Sequence, residues 1–126
     1  MPVLTEPPSM GDVLKYEVNP NYTREVVTLL IGTNYPSGAV LGRITASGKY
    51  TLSAATGADG AQVAVAVLLY PVNTTLADAV GIVVARGPSI VSRAALAYET
   101  TVNDTAKITA KIAQLAAVGI IARDGV

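Results

Sequence analysis

The sequence predicts a mainly β domain closed by a single C-terminal α-helix, and three observations carry that prediction. Short β-branched runs recur between Gly- and Pro-rich turns, one helical stripe stands near the end, and strands do not alternate with helices. Without that alternation a doubly wound parallel sheet is not expected. At 126 residues the chain has the length of one domain, able to bury roughly two-thirds of its unfolded surface. We divide it into an extended N-terminal arm, residues 1–24, and a β domain, residues 25–126.

The arm is marked by Pro2, Pro7, Pro8, Gly11 and Pro20, which interrupt regular pairing, with Val3, Leu4, Val13, Leu14 and Val18 strung singly between them. Leu14, Tyr16 and Val18 alternate with Lys15 and Glu17 as one face of a strand would. Such a segment is expected to order on a partner rather than to serve as polar filler. From Glu25 the texture becomes β. Val26–Ile31 is a β-branched run closed by Gly32 and the turn Asn34-Tyr35-Pro36-Ser37-Gly38. Ala39–Thr45 is a second strand, and Ser47-Gly48 turns the chain into Lys49–Leu52. Asp59-Gly60 is a strong turn pair ahead of the run Val63–Leu69. That run is apolar on both faces, so it should be central or lie at a subunit contact, and Pro71 ends it. Ala79–Val84 and Ser89–Val91 follow, separated by Gly87-Pro88. The helix is capped by Asn103 or Asp104, carries Ile108, Ile112 and Leu115 on one stripe, and meets a C-terminal glycine at Gly119. Ile120 and Ile121 add a final extended piece.

Composition excludes much chemistry. With no Cys and no His, the chain has no disulfide, no thiolate or imidazole metal site and no Ser/His or Cys/His nucleophile. Nine basic residues balance nine acidic ones, so there is no long-range pull on nucleic acid or anionic lipid. Arg86 and Arg93 make no basic stripe. Only 14% of residues are charged, against about 25% in ordinary domains, and the mean hydropathy is +0.46. Part of that apolar surface is expected to be covered by copies of the chain or by a partner. No signal-peptide pattern and no run of membrane-spanning length is present, so the sequons at Asn21, Asn73 and Asn103 are read as chance. Gly42–Lys49 fails as a phosphate loop, because five residues separate Gly42 from Gly48 and Tyr50 stands where Ser or Thr is needed. The carboxylates are scattered singly, mostly in turns or caps, and Asp59 reads as a turn residue. The residues therefore name no catalytic, cofactor-binding or metal site.

The order of motifs is more specific than any one of them. Arg24-Glu25-Val26-Val27-Thr28 leads to Ser37-Gly38-Ala39-Val40-Leu41-Gly42-Arg43-Ile44-Thr45, then Gly48-Lys49-Tyr50, then Asp59-Gly60-Ala61-Gln62 and the strand through Val67-Leu68. This series, continued by Val80–Arg86 and the C-terminal helix over residues 24–122, resembles the head decoration proteins of tailed bacteriophages, the lambdoid capsid D family. The chain departs from the lambdoid type in lacking Trp and in its low aromatic content. Its Gly11–Glu17 stretch resembles a longer-armed branch. The resemblance implies a β-clip-like fold and homotrimers at three-fold positions on the outside of the expanded head. It implies no enzyme activity and no cofactor. The partner it implies is the major capsid protein, reached by an N-terminal arm, with the shell cemented against the pressure of packaged DNA. On that basis Val3, Leu4, Pro7, Pro8, Leu14 and Tyr16 are the expected capsid-binding residues. Alternatives are another oligomeric virion part, such as a tail component, and a small carbohydrate-binding or hydrolytic β domain using Asp59 or Asp78.

Overall fold

The computed structural model describes residues 10–124. Two four-residue helices, α1 (Met10–Val13) and α2 (Pro20–Thr23), flank the first strand, β1 (Leu14–Glu17). There follow β2 (Arg24–Leu29), β3 (Asn34–Tyr35), β4 (Val40–Arg43), β5 (Tyr50–Leu52), β6 (Ala66–Leu68) and β7 (Val72–Asn73). The chain ends with β8 (Ala79–Val84), β9 (Ser89–Ser92), a 3₁₀ turn (Arg93–Ala95), helix α3 (Thr105–Ala117) and β10 (Ile120–Arg123). The molecule is mainly β with one long helix near its C-terminus, as the sequence predicts.

Five strands close into a barrel in the order β2-β5-β4-β6-β8, and β1, β9 and β10 form a separate three-stranded sheet. The alternation of β4, β6 and β8 explains why their sequences are apolar on both faces. One row, Val40–Val67–Val84, runs across the three strands and faces outward into a core shared with Val13, Val91, Leu115 and Ile120. The other faces, bearing Leu41, Ala66, Leu68 and Val83, fill the barrel interior with Leu29 and Tyr35. Of the two sites expected for the Val63–Leu69 run, the structure places it at the centre. The regular strand is shorter than expected, Ala66–Leu68, because Ala64 N–H donates to Gln114 Oε1 on the helix instead of to a ladder partner.

Two glycines allow close backbone crossings, one on barrel strand β4 and one just before it. A Cβ on Gly42 would stand 2.0 Å from the Ala61 carbonyl oxygen, and one on Gly38 would stand 2.1 Å from that of Ala95. Only glycine lets these backbones meet, which is the physical content of the Gly38–Gly42 motif. The turn Asn34–Gly38 differs from expectation. Asn34 and Tyr35 pair antiparallel with Asn73 and Val72, and Tyr35 is fully buried with its hydroxyl donating to the Leu30 carbonyl at 2.9 Å.

Of the two caps expected for helix α3, Asp104 is the one used, its side chain accepting from Lys107 N–H at 2.9 Å. Leu115 is fully buried, Ile108 and Ile112 are half-buried, and Gly119 follows the C-cap at φ +87°. The parallel pairing of β10 with β9 then completes the small sheet.

Residues 10–24, grouped with the arm on sequence, have partners within the chain. Val13 is fully buried in the outer core, and β1 pairs antiparallel with β9. The alternation expected to set Leu14 and Tyr16 on one face is interrupted by a register shift between them. The extra residue turns Leu14 toward Val91 in the core while Tyr16 stands opposite Ile90 on the outside.

Candidate functional site

The carboxylates of Asp59, Asp78 and Glu99 are committed to local structure. Asp59 accepts from Ala61 N–H at 3.0 Å, and Asp78 accepts from Ile31 N–H at 2.7 Å while pairing with Lys49 at 2.6 Å. The Glu99 carboxyl is held below its ordinary value chiefly by the Thr101 hydroxyl, against the opposing effect of burial. An open cleft of about 910 Å³ lies between Asp59, Gln62, Tyr98 and Glu99, but both of its carboxylates are already tied to neighbouring backbone or hydroxyl groups. Among the described residues no group of acidic side chains could hold a metal ion, and no helix is long and apolar enough to cross a membrane. The surface of interest is therefore the apolar one, and it has two separate parts.

The first lies on the outer face of the three-stranded sheet. Tyr16 stands opposite Ile90, and Ile90 stands opposite Ile121, so the three side chains cross the sheet in one row. Tyr16 is 51% exposed, Ile121 is exposed and Ile90 is half-buried, with exposed Val18 just beyond. The strand carrying Tyr16 is fastened by a clamp at its end. Glu17 receives three hydrogen bonds from Arg24, at 2.5, 3.0 and 3.2 Å, and one from the Thr23 hydroxyl at 2.6 Å. Burial works to raise the Glu17 carboxyl, but the Arg24 and Thr23 hydrogen bonds and the Arg24 charge hold it below its ordinary value. Arg86 secures α2 from the other side, pairing with Glu25 at 2.6 Å and lying 5.4 Å from the centre of the Tyr22 ring.

The second part is the outer face of the β2–β8 ribbon. Val26 stands opposite Ile82 and Thr28 opposite Val80, so these side chains point away from the barrel core. Val26 is 68% exposed and Val80 is 67% exposed, values unusual for valine in the middle of a strand. With Tyr70 and Val72 they border an apolar groove of about 370 Å³.

Of the residues expected from the sequence to bind a partner, Tyr16 lies on the first surface and Leu14 beneath it against the core. Val3, Leu4, Pro7 and Pro8 lie outside the described residues. Ile90 and Ile121 escaped sequence reasoning, because only the pairing of distant segments brings them beside Tyr16. Val26, Val80 and Ile82 escaped it too, since their pattern reads equally well as core. Lys111 was likewise missed. It is 2% exposed, and its ammonium donates to Ser53 Oγ at 2.9 Å and to the carbonyls of Ala54 at 2.6 Å and Gln62 at 2.5 Å. Burial lowers its pKa, with Glu99 opposing.

The two apolar faces stand on a mainly β scaffold whose glycine motif is explained by backbone crossings. No curated relative matches the chain closely enough to be counted. A family model does: that of bacteriophage lambda head decoration protein D, over residues 3–120. That span takes in the barrel, the small sheet through Ile120, the long helix and most of the N-terminal segment. The chain accordingly belongs to the bacteriophage lambda head decoration protein D family, structural proteins of the phage capsid.

Proposed function

We propose that the protein is a non-enzymatic cement of the phage head. It binds as trimers at three-fold sites on the outside of the expanded shell and stabilises the shell against the pressure of packaged DNA. The observation that carries this reading is the pairing of a head-decoration family match over nearly the whole chain with two uncharged apolar faces on one small domain. A cement protein has to contact both the shell and its own copies, and apolar faces serve both without needing opposite charges. Many copies of a modest contact that exists only on the expanded form stabilise that form by binding linkage.

The major capsid protein is the proposed partner, and the N-terminal segment is the proposed route to it. Val3, Leu4, Pro7, Pro8, Leu14 and Tyr16 are the residues that carry the attachment. Leu14 acts through the core by supporting the strand, and Tyr16 acts directly from the exposed row it shares with Ile90 and Ile121. Electron cryomicroscopy of heads saturated with the protein tests the placement. The expected map shows three-lobed density outside the shell at each local three-fold axis, with Tyr16 turned toward the capsid protein. Density on the inner surface or confined to the tail overturns the reading.

A further inference from the structure

We propose that the β2–β8 groove is the seat for Leu76 of a neighbouring copy, so that each chain offers a knob to one neighbour and a groove to the other. The proposal rests on the decoration reading for the closed ring it builds, and it names the surfaces that close that ring.

The knob is unusual. Leu76 is 93% exposed, more than any other large apolar residue described, on the loop between β7 and β8. A leucine so placed is normally mobile and of little consequence, but this loop is pinned at both ends. On one side Thr74 is fully buried, its hydroxyl within hydrogen-bond distance of the carbonyls of Leu30, 2.8 Å, and Thr33, 2.7 Å. Its own carbonyl accepts from Gly32 N–H at 2.7 Å. The Asn73 side chain accepts from Thr75 N–H at 3.0 Å and fixes the first bend. On the other side Asp78 bridges Ile31 N–H and Lys49. The loop thus presents an aliphatic side chain from a preset backbone, the arrangement that lowers the ordering cost of an interface anchor.

The groove is its chemical counterpart. Val26, Tyr70, Val72, Val80, Gly81 and Ile82 line about 370 Å³, near the lower end of the roughly 300–1,000 Å³ of small-ligand clefts. Among the described residues no charged side chain lines it. The charges near the ends of the ribbon are already paired within the chain, Lys49 with Asp78 at one end and Arg24 with Glu17 and Arg86 with Glu25 at the other. An occupant is therefore selected by apolar shape and not by an opposite charge, and the chain itself supplies such a shape. Because each chain gives its knob to one neighbour and its groove to the other, the proposed contact is heterologous, the type that closes rings when the rotation permits.

The absence of cysteine from the chain makes the test clean. Leu76→Cys and Val26→Cys are prepared as separate full-length variants, each checked by circular dichroism. They are oxidised singly and mixed, once as concentrated free protein and once on coated expanded heads. The expected result is a disulfide-linked dimer in the mixture at least ten-fold above either variant alone, in at least one of the two settings. A double variant carrying both cysteines is expected to give closed covalent trimers. No mixed disulfide in either setting overturns the proposal, and so does Leu76→Cys dimerising with itself as readily as in the mixture. Heads coated to saturation without any disulfide reject this contact and leave the decoration reading standing. Disulfides in the free mixture with no coating of heads do the reverse.

Discussion

Gly42 shows how much a single residue decides. Its missing Cβ lets the Ala61 carbonyl pass at a distance no side chain allows, and β4 is held there by ladders on both sides. Gly42→Ala is expected to destabilise the fold by about 3 kcal/mol or more, because the obstacle is backbone and cannot rotate away. Denaturant unfolding of the purified variant measures this, and a loss under about 1 kcal/mol contradicts the crossing. Lys111 is the second such residue. Its spacing puts it on the Ile108–Ile112–Leu115 stripe, but residue type ranks a lysine as exposed, and local sequence cannot see acceptors from residues 53–62. Lys111→Met keeps the apolar stem but leaves Ser53 Oγ and two carbonyls without their donor. The expected cost is about 1–3 kcal/mol, read as a fall of several degrees in Tm. An unchanged Tm contradicts the clamp. The glycine motif was visible in the sequence as a pattern, but its reason lay in partners far along the chain.

At the scale of elements, what local rules determine was legible. Strand Ala79–Val84, the Asp104 cap and the glycine after the helix follow from β-branching, a side-chain acceptor and a positive φ, all written within a few residues. What depends on distant pairing was not. The Tyr35 strand, the bulge between Leu14 and Tyr16 and the Tyr16–Ile90–Ile121 row arise where separate segments meet. The same holds for the direction in which Val26 and Val80 face, because a period of two fixes that alternate residues share a face and not which face is buried. The β1 segment also carries a pH dependence. The Glu17 carboxyl sits below its ordinary value in the folded chain, so its stabilisation is fully present above the unfolded value and is lost as pH falls through the folded one. Below about pH 4 the amides of Leu14–Glu17 are expected to lose hydrogen-exchange protection before those of the barrel strands. Glu17→Gln is expected to bring the same loosening to neutral pH, at a cost of about 1–2 kcal/mol. Simultaneous exchange of barrel and β1 at every pH contradicts the clamp.

For the whole molecule, the doubly buried strands explain part of the high hydropathy and the two exposed apolar faces explain the rest. Each face has a proposed use, the sheet row toward the shell and the ribbon groove toward a neighbouring copy. Removing residues 1–9 and, separately, Tyr16→Ala are expected to weaken attachment to heads at least ten-fold while leaving the far-ultraviolet circular dichroism unchanged. Both variants preserve Val13 and the Glu17 clamp, so lost binding cannot be traced to lost folding. Tight attachment of both contradicts the proposed route to the capsid.

The most direct measurement is co-sedimentation of the full chain with expanded and with unexpanded empty heads of the cognate phage. Saturable binding to expanded heads alone, with a rise in their thermal disruption temperature, is the result predicted for a cement that recognises a surface made by expansion. Equal binding to both forms, or binding to neither, contradicts it.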